Sequence, residues 1–156
     1  MSLLALFKWF DNTMIGQGIR GSTYWFPAIE VVHLIGLTLL YGAVLMVDMR
    51  VLGFGLRRQP VARVAAQVTP YTILAIVIML ATGIPLFLSE ALKCYENQAF
   101  WFKMGSLLLA MIFQFTVHRK VVSVEGQPTG SMKLGAAVSM LLWLSVGLGG
   151  RAIAFV

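Results

Sequence analysis

Four long runs of apolar positions organise the chain, at about residues 27 to 49, 70 to 89, 101 to 118 and 132 to 153, each separated from the next by a short polar segment. Each run is close to the roughly 20 residues that an α-helix needs to cross a hydrocarbon core of about 30 Å. The pattern predicts an all-α, integral membrane four-helix bundle whose short connections make successive spans antiparallel. Ahead of the spans, residues 2 to 15 put Leu3, Leu6, Phe7, Phe10 and Met14 on one helical face and Lys8, Asp11 and Asn12 near the other, with Ser2 placed as an N-cap. This stretch reads as an amphipathic helix lying in the membrane interface and kept in the mature protein. It lacks the basic start and unbroken apolar core of a signal peptide. Residues 1 to 156 form a single membrane domain.

Inside the second span, Thr82, Gly83 and Pro85 predict a kink, because proline removes a backbone hydrogen bond and crowds the preceding turn. Small residues at Gly135, Ser139, Gly147, Gly149 and Gly150 suit the fourth span to close helix approach. The aromatic run Tyr24, Trp25 and Phe26 before Pro27 marks a membrane interface.

Composition agrees with this pattern. The chain is 59% hydrophobic and 12% charged, with a mean hydropathy of +0.85, whereas soluble domains are roughly 25% charged. The net charge of +6 comes from residues that flank the apolar runs, so it points to lipid head groups and topology and not to nucleic acid. Seven of the 12 basic residues (Arg50, Arg57, Arg58, Arg63, Arg119, Lys120 and Lys133) fall on one side of the threading and five (Lys8, Arg20, Lys93, Lys103 and Arg151) on the other. By the positive-inside rule both termini are expected on the periplasmic side of a bacterial inner membrane. The lone cysteine, Cys94, excludes an intrachain disulfide, and the residues after it do not form a CxxCH haem attachment.

Candidate chemistry begins with Glu30 and His33, three residues apart near the start of the first span, where an ionisable group is costly without a partner or a task. Antiparallel threading places Glu30, Glu90, Lys103 and Arg151 at similar depth, with His33 a turn deeper. The simple reading is a salt-bridge lattice that fixes the register of the bundle. The sharper reading is a copper, iron or zinc site formed by Glu30, His33 and Glu90, with Lys103 and Arg151 balancing charge. His118 offers a second imidazole, and haem b would use His33 or His118 as an axial ligand. The two histidines differ in depth by about nine residues, or ~14 Å, which rules out a shared iron within one subunit. Met46 lies at roughly the depth of His118 and is a candidate second ligand. Hydrolase and nucleotide motifs are absent.

The runs WFPAIEVVHLIGLTLLYG, VDMRVLG, TGIPLFLSEA, FWFKM and LGGRAIAF resemble a family of small, functionally uncharacterised bacterial four-helix inner-membrane proteins over nearly the whole chain. More distantly, the architecture is similar to the membrane domain of copper-resistance D-type proteins and to b-type cytochrome bundles. The expected function is haem- or metal-associated electron transfer, with redox partner proteins. A transporter or binding protein for a small ion, metal or anionic solute and a structural or self-associating scaffold are the alternatives.

Overall fold

The computed structural model describes residues 2–56, 58–122, 127–153 and 155; Arg57, one of the expected loop arginines, lies outside them, as do the side chains of residues 117, 118, 121 and 122. The protein is all-α. Helices α1 (Leu3–Asp11) and α2 (Met14–Arg20) precede the first span, α3 (Trp25–Leu52). The second span, α4 (Val61–Ser89), is followed by the short α5 (Ala91–Glu96). The third, α6 (Gln98–Phe113), continues through a π-helical turn, Gln114–His118, into α7 (Arg119–Val122), and α8 (Gly130–Ala152) closes the bundle. Four helices have the length and apolar composition to cross a membrane, which makes this a multi-pass membrane protein.

The helix ends follow local chemistry. Asn97 caps α6 by accepting hydrogen bonds from the backbone N–H groups of Ala99 and Phe100 at 2.9 and 3.3 Å. Its amide also donates to the Ile153 carbonyl at 3.3 Å, tying the start of α6 to the end of α8. Helix α3 stops at Gly53, whose φ of 91° is the left-handed conformation that ends helices. There the Phe54 N–H donates back to the Met49 carbonyl at 2.8 Å. Helix α4 starts after Pro60, nine residues before Pro70, where the apolar run begins. Val61, Val64 and Val68 form a buried stripe that extends the helix toward the loop, and α4 runs on through Pro70 and Pro85.

Helix α3 packs against α4 and α8, and α8 packs against α6. Leu40, Val44, Ala75, Ala110, Trp143 and Val146 bring all four spans into one central cluster. Two further clusters, Ala43, Val47, Val64 and Val68, and Val51, Val61, Met132 and Ala136, fill the end of the bundle that carries the 53–60 loop. In a bilayer this burial removes no surface from water, so association rests on dispersion and close backbone approach. The close approach is visible at Gly36, where an added Cβ would stand 2.6 Å from Ile78 Cγ2, and at Gly147, where it would stand 2.5 Å from the Tyr41 hydroxyl.

The N-terminal amphipathic stretch is two helices. Thr13 caps α2 through its hydroxyl, breaking the single helix expected over residues 2 to 15. The apolar face docks on the bundle: Phe7 is buried, with its ring centroid 5.5 Å from that of Phe87, 5.2 Å from Tyr95 and 5.8 Å from Trp101. Asp11 locks the turn, accepting from Arg20 at 2.9 Å and from the Leu92 N–H at 3.4 Å.

The contact at Gly36 yields a prediction. Gly36→Ala is expected to cost about 1–3 kcal/mol of unfolding free energy, because the colliding atom is the Cγ2 methyl on the branched Cβ of Ile78, which has little rotamer freedom to move aside. Combining it with Ile78→Ala is expected to restore part of the loss, a non-additivity that unfolding titrations of the two single variants and the double variant in detergent would reveal.

Candidate functional site at the α1 end of the bundle

His33 projects from α3 toward α4, where its Nδ1 lies 2.8 Å from Thr82 Oγ1. The Thr82 hydroxyl donates its proton to the Ile78 carbonyl at 2.6 Å, as a threonine in a membrane helix commonly does. With that proton committed, Thr82 accepts, and His33 must carry its hydrogen on Nδ1. Nε2 is then left with a lone pair. Gly83 makes room for the ring, since an added Cβ there would lie 3.2 Å from His33 Cε1.

Lys103, on α6, comes within electrostatic range of His33. Its stem lies along α8, where a Cβ at Gly149 would lie 3.1 Å from Lys103 Cβ and one at Gly150 would lie 3.7 Å from Lys103 Nζ. Lys103 is half-buried. Among the described residues no carboxylate pairs with it; the two ion pairs there are Arg20–Asp11 and Lys93–Glu90. All four spans therefore meet at this level, through His33, Thr82 with Gly83, Lys103, and Gly149 with Gly150.

The membership differs from the lattice expected of Glu30, Glu90, Lys103 and Arg151. Helix α4 ends at Ser89, so Glu90 belongs to the start of α5 and pairs with Lys93 on that short helix. Arg151 is exposed, with its guanidinium 4.6 Å from the centroid of the Phe155 ring. Glu30 is exposed although it is three residues from His33. At the end of the bundle these charges have local partners or open surface, and they are not drawn inward.

The described residues do not assemble a metal site of Glu30, His33 and Glu90, and no group of three or more His, Cys, Asp or Glu side chains converges among them. The charged group facing His33 is a lysine, which opposes a bound cation. For haem, Met46 is 13 residues beyond His33 on one continuous helix, about 20 Å away. It is exposed on a groove between α3 and α4. The side chain of His118 lies outside the described residues; its backbone closes the π-helical turn. Thr82 and Gly83 are the site residues that sequence reasoning missed, having been read only as part of a kink. The usable signal was a hydroxyl beside a glycine inside an apolar span.

The family model DUF6644, described as a family of unknown function, matches residues 6–156. The chain belongs to DUF6644. The match takes in all four spans, and because DUF6644 has no assigned activity, the chemistry must be argued from the side chains. Neither the curated proteins nor the solved structures contain a match.

Cys94 sits on α5, within electrostatic range of Lys103. Burial pushes its thiol up to about 11; Lys103 and Lys93 act in the opposite direction, and Glu90 reinforces the rise. Because the thiolate is the reactive form, alkylation at pH 8 is expected to be about 100-fold slower than for an ordinary thiol and to accelerate as pH rises toward 11. Lys103→Gln removes a charge that favours the thiolate, so it should slow the reaction further. Maleimide labelling rates of the two proteins as a function of pH check both points.

Proposed function

We propose that this multi-pass protein receives a small anionic solute at the Lys103–His33 cluster and acts as a binding or transport protein for it. The observation that carries the reading is Lys103: a half-buried ammonium among apolar spans, lined by glycine and without a carboxylate partner among the described residues. A charge in that setting is expensive until a counter-ion arrives. An incoming oxyanion supplies one, and the two glycines leave the ammonium approachable. His33 adds a hydrogen-bond acceptor at Nε2, which suits a solute that carries an ionisable proton, such as a carboxylic acid or hydrogen phosphate. The excess of basic residues beside the 53–60 loop supports an orientation with that loop in the cytoplasm and the cluster on the opposite side of the membrane.

The test is binding of acetate and of inorganic phosphate to protein in lipid nanodiscs, with choline as a cationic control. Lys103→Gln is expected to weaken anion binding by roughly 10- to 100-fold, the value of a charge-assisted hydrogen bond, while leaving the fold intact. Equal binding by the wild type and Lys103→Gln, or no binding by either, would overturn the reading.

One observation favours a second reading, haem association. A histidine that donates from Nδ1 to a fixed acceptor presents Nε2 in the manner of metal-ligating histidines. Protein purified gently from haem-replete cells is then expected to show a Soret band and sharp reduced α and β bands, both lost in His33→Ala. A colourless preparation excludes this reading and leaves the anion reading standing.

A further inference from the structure

Two residues of α4 hold the His33 ring by one edge. Nδ1 lies 2.8 Å from Thr82 Oγ1, and a Cβ added at Gly83 would stand 3.2 Å from Cε1 and 3.8 Å from Nδ1. The Thr82 hydroxyl has a single proton, and the Ile78 carbonyl accepts it at 2.6 Å. What faces the imidazole is therefore an oxygen lone pair, so the neutral ring carries its hydrogen on Nδ1 and its own lone pair on Nε2. Through this one hydroxyl, a backbone carbonyl of α4 dictates the polarity of the free nitrogen of His33.

That nitrogen is open to a solute. Among the described residues Nε2 has no hydrogen-bond partner, and it is not one of the unpaired side-chain atoms sealed in the interior. The His33 side chain is only half-buried. Lys103 of α6 acts on the ring electrostatically, whereas Glu30, one turn earlier on α3, is exposed. The cluster thus makes two demands of a solute. The ammonium asks for a negative oxygen, and the imidazole asks for an O–H.

We propose, on the footing of the anion reading, that Thr82 determines the specificity of this cluster, and that the solute it selects is an oxyanion still carrying a proton, the chemistry of bicarbonate or hydrogen phosphate. The negative oxygen meets Lys103, and the protonated oxygen donates to His33 Nε2. An anion of the same charge and planar shape without a hydrogen, such as nitrate, satisfies Lys103 but turns an oxygen lone pair toward that of Nε2. Thr82 itself touches no solute. It acts through the tautomer of His33, because the hydrogen bond made by one ring nitrogen sets the state of the other, and it is in that sense a positioning residue.

Thr82→Val keeps the branched shape and removes the acceptor, whereas Thr82→Ser keeps the acceptor. The first measurement needs no solute. Nitrogen NMR shifts of His33, assigned by their absence in His33→Phe, are recorded on the full chain in lipid nanodiscs at about pH 8, where an ordinary imidazole is neutral. The Nδ1–H tautomer is expected in the wild type and in Thr82→Ser, with a shift toward the Nε2–H tautomer in Thr82→Val. The second measurement is calorimetric titration with bicarbonate and with nitrate. Affinities are compared as a ratio, so that the different hydration of the two anions cancels between proteins. That ratio is expected to fall about fivefold in Thr82→Val, the loss of one hydrogen bond, and to be kept in Thr82→Ser. An Nε2–H tautomer in the wild type, or an unchanged ratio in Thr82→Val while both anions bind, would overturn this inference and leave the anion reading standing. Wild-type protein that binds neither anion would overturn both.

Discussion

Inside a bilayer there is no water to complete a hydrogen bond, and the rest of this structure answers to that constraint. The hydroxyls of Thr38, Thr69, Thr116 and Ser145 each turn back to the carbonyl four residues earlier, at 2.6 to 2.9 Å. Each side chain is thereby satisfied within its own helix and carries no information between helices. Thr82 does the same toward Ile78 and also accepts from His33, so one residue joins intrahelical bookkeeping to an interhelical contact. Against that background the ammonium of Lys103, without a carboxylate partner among the described residues, becomes informative.

Close backbone approach is what allows such contacts to form. Helices in lipid gain little by hiding leucine from leucine, so the spans come together where side chains are small. Gly36 lets Ile78 of α4 lie against the α3 backbone, and Gly83 receives the His33 ring. On the other side of the bundle, Gly147 receives Tyr41, and Gly149 lies against Lys103. The glycines are thus positioned beside the bulky or polar side chains that need room. A larger residue at Gly83 would press on the imidazole, and one at Gly149 would press on the stem of Lys103.

The fold was legible because hydrophobic length is a strong signal. Four apolar runs near 20 residues become four helices with little competition from other structures. Boundaries were harder, and the reasons are local. Pro70 looked like a helix start, but Val61, Val64 and Val68 had a partner surface on α3, and burial carried the helix back to Pro60. The hydroxyl of Thr13 capped a second helix within what one amphipathic face suggested was a single one. The site was only half legible. Depth along the threading put His33 one turn deeper than Lys103, since depth follows from counting residues, and the two side chains lie within electrostatic range. It could not say that Glu30 is exposed while His33 faces α4, because rotation about a helix axis is set by packing against neighbours. Nor could it foresee that α4 ends at Ser89 and takes Glu90 out of its register.

The failure of the expected salt-bridge lattice is itself what isolates Lys103. Asp11 is taken by Arg20, Glu90 by Lys93, and Arg151 rests on Phe155, each at or beyond the ends of the spans, where a partner lies close in sequence. Pairing at short range costs little conformational entropy and requires no helix to move. Lys103 differs because its stem is held between α6 and α8, its neighbours on α8 are glycines, and the titratable side chains within its electrostatic reach are an imidazole and a protonated thiol. Neither neutralises it. A lattice would have used Lys103 as structural glue and closed the bundle around it. Among the described residues, local pairing or open surface accounts for the neighbouring charges and sets Lys103 apart, so the proposed anionic reading rests on the arrangement of the charges that Lys103 does not touch as much as on Lys103 itself.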